Sequence, residues 1–228
     1  MKILRNAWLF GSVLFLAAWP VAAQMGMGAR TPDWRGIFNP VVGSGAAYDM
    51  ESKGGAKRPI EITVVGKEDV NGKPGYWIEM GLSDPQMGGQ MWMKYLFSVD
   101  GKNGVASHTV MQMPGRPAME FDGANTMIRG DQKTSTDVRD QAELVGTESV
   151  TTPAGTFSCD HYRAKDGSWD AWVSAKVTPW GLVKSTGNNN TMTLNHIITD
   201  AKDRITGTPQ KFDPSQIMRG RMGQQPPQ

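Results

Sequence analysis

Between residues 59 and 199 the chain reads as short alternating runs of apolar and polar residues separated by turn dipeptides, the pattern of antiparallel hairpins. In PIEITVVGK, Ile60, Ile62 and Val64 alternate with Glu61 and Thr63, so one face suits a core and the other water. Asn71-Gly72 offers the positive φ angles of a tight turn. YWIEMGL then returns with Tyr76, Ile78, Met80 and Leu82 on one face. MWMKYLFSV groups Met91, Met93, Tyr95 and Phe97, and Asp100-Gly101 or Asn103-Gly104 closes a second hairpin onto VASHTVMQM.

Residues 114–141 break this rhythm, with Pro114, Pro117 and several glycines but no clear period. Such a segment is expected to be a lid or disordered. Within it, STDVRDQAEL predicts a short helix capped by Ser135 or Thr136. Hairpins then resume. AELVGTESVTT turns through Pro153-Ala154-Gly155 into TFSCDHYRA, Asp166-Gly167 leads to SWDAWVS, and AKVTPWG gives a bend or one helical turn. LVKST follows, and the Gly187–Asn190 turn leads to TMTLNHIIT. The expected fold is mainly β (α+β): a single curved antiparallel sheet or unclosed barrel of meander hairpins, with one to three short helices.

The N-terminus changes the compartment. Lys2 and Arg5 precede the apolar run 7–18, and Val21-Ala22-Ala23 supplies small side chains before Gln24, so residues 1–23 read as a cleaved secretory leader. The run is too short for a membrane span, and with no cysteine at the cleavage site no lipid is expected there. The protein is expected in the periplasm or outside the cell. Residues 24–33 read as a flexible segment, 34–212 as one β-rich domain and 213–228 as a disordered tail.

Removal of Lys2 and Arg5 from 24 basic residues leaves a balance with the 22 acids, and the longest basic run is Lys57-Arg58. That argues against a nucleic-acid surface. A single cysteine cannot form an internal disulfide, so stability must come from a packed core.

Cys159 and His161 stand two apart on a predicted strand, sharing a face with Phe157 and Arg163. An apolar neighbour leaves a thiol inert, so the expectation is a strand and not a nucleophile beside its base. No G-x-S-x-G, H-E-x-x-H or phosphate-binding loop is present, and the spacing of His108, His161 and His196 gives no support for a metal site. A non-enzyme without a cofactor is therefore expected.

Methionine is the unusual component, at fifteen residues. Met91/Met93 and Met111/Met113 would present four thioethers across one hairpin, either as adaptable apolar lining or as soft ligands for Cu(I). His108, of opposite parity to Met111, would not join them. Trp77 and Trp92 have the parity opposite to the apolar faces of their strands, and Trp169 and Trp172 differ from each other, so some rings belong on the outer face. Cover by the protein's own chain is expected there, with an aromatic patch for a protein partner as the other option.

LVGTESVTTPAGTFSCDHYRAKDGSWDAWVSAKVTPWGLVKS resembles a pattern in exported bacterial proteins similar to the lipoprotein-carrier (LolA/LolB-like) superfamily. The likeness covers residues 143–200 and, through strand order alone, the N-terminal half. It implies an unclosed antiparallel barrel wrapped around helices, with an apolar cavity for acyl chains. No residue-specific motif of that superfamily carries over. The expected partner is an apolar small molecule or acyl chain held by Met80, Met91, Met93, Tyr95, Phe97, Met111 and Met113 and gated by residues 114–141. No membrane span is expected after leader removal, and an envelope structural or interaction role is the remaining alternative.

Overall fold

The computed structural model describes residues 35–55, 57–84, 88–101, 103–122, 134–187 and 189–212. The expected leader (1–23), the segment 24–33 expected to be flexible and the expected tail (213–228) lie outside them, as does most of the middle of 114–141.

Among the described residues thirteen strands join one sheet: β1 (Ser44–Ser52), β2 (Lys57–Val70), β3 (Lys73–Asp84), β4 (Gly89–Asp100), β5 (Asn103–Gln112), β6 (Met119–Asp122), β7 (Thr134–Ser135), β8 (Ala142–Thr152), β9 (Gly155–Ala164), β10 (Trp169–Val173), β11 (Leu182–Gly187), β12 (Asn190–Ile198) and β13 (Gln210–Lys211). The spatial order is β13-β6-β5-β4-β3-β2-β1-β12-β11-β10-β9-β8, with β7 on the start of β5. Two meanders, β1–β6 and β8–β12, are thus stitched together by the antiparallel pair β1–β12. The parallel pair β13–β6 makes the sheet mixed.

Local chemistry explains the hairpins. Asn71 and Gly72 take φ 55 and 80°, the left-handed pair that the β2–β3 turn demands. Register shifts at Ala47/Tyr48, Val64/Gly66, Tyr95/Phe97, Leu144/Gly146 and Trp172/Val173 insert extra residues and bend the strands, so the long sheet curls into an unclosed form.

The inner face holds the core. Tyr48, Ile62, Val64, Ile78, Tyr95 and Phe97 from the first meander share a cluster with Ala171, Val173 and Leu194 from the second. Two non-strand segments fill the space between them. Phe38 packs edge-on to Phe97 at 4.9 Å and to Tyr76 at 5.9 Å, and lies against Trp180 at 4.6 Å. Backbone bonds from Ile37 to the Trp180 carbonyl (2.8 Å) and from Asn39 to the Pro179 carbonyl (2.7 Å) tie these segments together. Gly36 permits that approach, because a Cβ there would stand 2.0 Å from the Trp180 oxygen.

Several expectations change. The helix predicted over STDVRDQAEL is one 3-10 turn, Val138–Asp140, capped by Asp137 and not by Ser135 or Thr136; Asp137 accepts the Arg139 amide at 2.9 Å. It is the helical element among the described residues, and Phe38, Val177 and Trp180 occupy the interior where the carrier resemblance implies helices. The segment 114–141 is not wholly irregular, since β6 and β7 belong to it and join the sheet. The β1, β6, β7 and β13 strands were absent from the sequence pattern.

Candidate functional site

The strand registers place the methionines. Ile62, Met80, Met93, Met111 and Met119 are consecutive cross-strand partners from β2 to β6, so four thioether side chains stand side by side in one row of the inner face. Directly opposed side chains have Cβ atoms about 4.5–5.5 Å apart, close enough for these long chains to touch. Met80, Met93 and Met111 are buried. Met91, opposite Leu82, and Met113, just past β5, are half-buried at the row's outer side. Met119 was not among the expected site residues; the six irregular residues 113–118 before it hid its strand from the sequence pattern.

Two residues further along each strand lies a second row: Val64, Ile78, Tyr95, Thr109 and Phe121. Tyr95 is fully buried, and Phe97 beyond it is enclosed by Phe38 and Trp180. The expected ligand-binding residues therefore divide. The five methionines form one continuous patch, while Tyr95 and Phe97 lead into the self-packed aromatic centre. Thr109 is 1 % exposed, and its Oγ1 has no hydrogen-bond partner among the described residues. Sequence reading passed over this residue because a threonine within a strand run carries no special signal.

The outer face carries a second, polar site. Glu79 has odd parity on β3, opposite to the apolar face of Ile78 and Met80, yet its exposure is 0 %. After β12 the chain crosses back over β2–β5. Glu79 Oε1 and Oε2 each accept the Arg204 amide at 3.1 Å, and Oε2 accepts the Ile205 amide at 3.3 Å. Lys94 pairs with Asp203, and the Arg204 guanidinium lies 5.7 Å from the centre of the Trp92 ring. Ile205 packs with Val110, Ala118 and Trp92. Trp92 is thus covered by the protein's own chain. Burial, followed by a hydrogen bond with Asp203, pushes the Glu79 carboxyl up to about 7 against the pull of the two backbone amides. A cleft of about 550 Å³ opens beside it, lined by Glu61, Thr63, Glu79 and Trp92 from the sheet and by residues 196–204.

The Cys159–His161 pair lies within β9 as expected. Cys159 is fully buried, and burial, then the nearby Asp160 and Glu148 carboxylates, push its thiol up to about 11. The His161 ring stacks on Trp172 at 4.4 Å, with Nε2 2.7 Å from Asp170 and Nδ1 3.2 Å from Glu148. Both ring nitrogens are engaged by carboxylates on opposite sides, which suits a structural cross-strand clamp on β8, β9 and β10. His108 bonds Glu120, and His196 lines the outer cleft, so the three histidines do not converge. Among the described residues no group of three His, Cys, Asp or Glu is placed to hold a metal ion, and no helix is long and apolar enough to cross a membrane.

No family model matches the chain, and no curated protein matches it. Among solved structures, the chain is similar to a candidate lipoprotein from Parabacteroides distasonis ATCC 8503, with a TM-score of 0.36 and 14 % identity over 71 % of this chain and 98 % of that one. It is also similar to a candidate exported protein with a YmcC-like fold from Bacteroides fragilis NCTC 9343, with a TM-score of 0.35 and 13 % identity over 71 % of this chain and 99 % of that one.

Proposed function

We propose that the protein is a non-enzymatic extracytoplasmic binding or carrier protein for an apolar, lipid-like ligand, in the manner of LolA/LolB-like carriers. The observation that carries this reading is the row Met80–Met93–Met111–Met119 across four consecutive strands of the inner face. Unbranched, polarizable thioethers rearrange at little cost, so a face built from them can open around an alkyl chain where Leu or Ile would hold a fixed shape. The leader-like N-terminus supports the compartment. Phe97 is left out of the binding surface because Phe38 and Trp180 already enclose it.

The test is titration of the delipidated mature chain with an environment-sensitive fatty-acid probe. Met93→Asp is expected to weaken binding more than tenfold, and Met91→Asp, at a half-buried position that tolerates charge better, to weaken it in the same direction. A wild-type chain that leaves the probe unbound refutes the reading.

A second reading is favoured by the direct pairing of Met93 with Met111. With Met91 and Met113 two residues away on the same face, four thioethers bracket one point of the β4–β5 hairpin, a donor set suited to Cu(I). Anaerobic titration with Cu(I) against a competing chelator decides it. Copper retained entirely by the chelator removes this alternative.

A further inference from the structure

We propose that the inner-face ligand is an uncharged amphiphile whose polar end is bound by the Thr109 hydroxyl; this rests on the apolar-ligand reading above and narrows its chemistry. Thr109 stands between Tyr95 and Phe121 in the row next to the methionines, and Met111 lies two residues along its own strand. The hydroxyl and the nearest thioether side chain are therefore about 7 Å apart along one face. The methionine row spans three strand spacings, about 14 Å, comparable to the length of a medium alkyl chain lying across β3–β6.

A hydroxyl buried without a partner is costly, whereas valine would fill nearly the same space at no such cost. Thr109 therefore costs stability at a position where an apolar residue would pack as well. The expense has a purpose if the hydroxyl is satisfied when the face is occupied. One O–H donor and two acceptor lone pairs suit an alcohol or an ester carbonyl on the ligand. Tyr95, Met111 and Phe121 bring no positive charge to offset a carboxylate, which selects a neutral polar end.

The experiment compares 1-dodecanol with dodecane as competitors for an uncharged fluorescent probe on the mature chain, using wild type, Thr109→Val and Thr109→Ser. Wild type is expected to prefer the alcohol by about three- to tenfold, the net worth of one hydrogen bond. Thr109→Val should erase that preference while still binding dodecane, and Thr109→Ser should keep most of it. If both compounds bind and Thr109→Val leaves the ratio unchanged, the inference is overturned and the apolar-ligand reading stands. If neither compound binds to wild type, both fall together.

Discussion

Glu79→Gln tests the account of the outer site most directly. The buried carboxyl has a folded pKa of about 7 against an ordinary 4.5, so the folded state holds a proton that the unfolded chain has already released over that window. The contribution to stability is complete below pH 4.5, declines as pH rises and is lost above 7. At ~1.36 kcal/mol per pH unit the upper bound is about 3 kcal/mol, reduced to about 2 by water in the adjoining cleft. The charged and titratable groups facing Glu79 are Glu61 on β2, Lys94 on β4, His196 on β12, and Asp200, Lys202, Asp203 and Arg204 on the crossing segment.

Glutamine imitates the protonated acid: its oxygen can accept the Arg204 and Ile205 amides while its NH₂ donates to Asp203. The variant should therefore match wild type in urea unfolding at pH 5 and exceed it by about 2 kcal/mol at pH 9. A loss of comparable size at both values would mean that the carboxylate is held charged by the two amides, and that desolvation has been given too much weight.

Two further predictions concern the core. Gly104→Ala would place a Cβ 1.8 Å from Cζ of Phe97, whose ring is locked by Phe38 and Trp180. A loss of about 2–3 kcal/mol is expected, seen as a drop in Tm of roughly 5–10 °C; an unchanged Tm would show that the ring can move aside. The raised pKa and burial of Cys159 should slow its reaction with a disulfide reagent at pH 8 by roughly a hundredfold relative to the unfolded chain. Prompt labelling of the native protein would reopen the case for a functional thiol.

Strands with a strong two-residue period were legible in the sequence. AELVGTESVTT coincides with β8, and PIEITVVGK and YWIEMGL lie inside β2 and β3. The central strand was not. SGAAYDMES has weak β propensity, because β1 is built for close approach and not for local preference: a Cβ on Gly45 would come within 2.3 Å of the Ile62 carbonyl oxygen. The parity of Met80, Met93 and Met111 was readable, but their alignment into one row depends on cross-strand register and on the bulges that reset it. Nothing near Glu79 in sequence announces that residues 203–205 will cover it. Burial on an outer face is imposed by a segment more than a hundred residues away, beyond the reach of any local pattern.

The β1–β12 ladder also governs the order in which the molecule can be completed. Asp49 bonds Asn195 across 146 residues, so during synthesis one side of β1 has no native neighbour until β12 has emerged. The nascent chain must spend that interval with an open edge at what will become its middle, a state prone to pairing with the wrong strand. Refolding should accordingly be slow for a sheet of this size, limited by the search that joins β1 to β12.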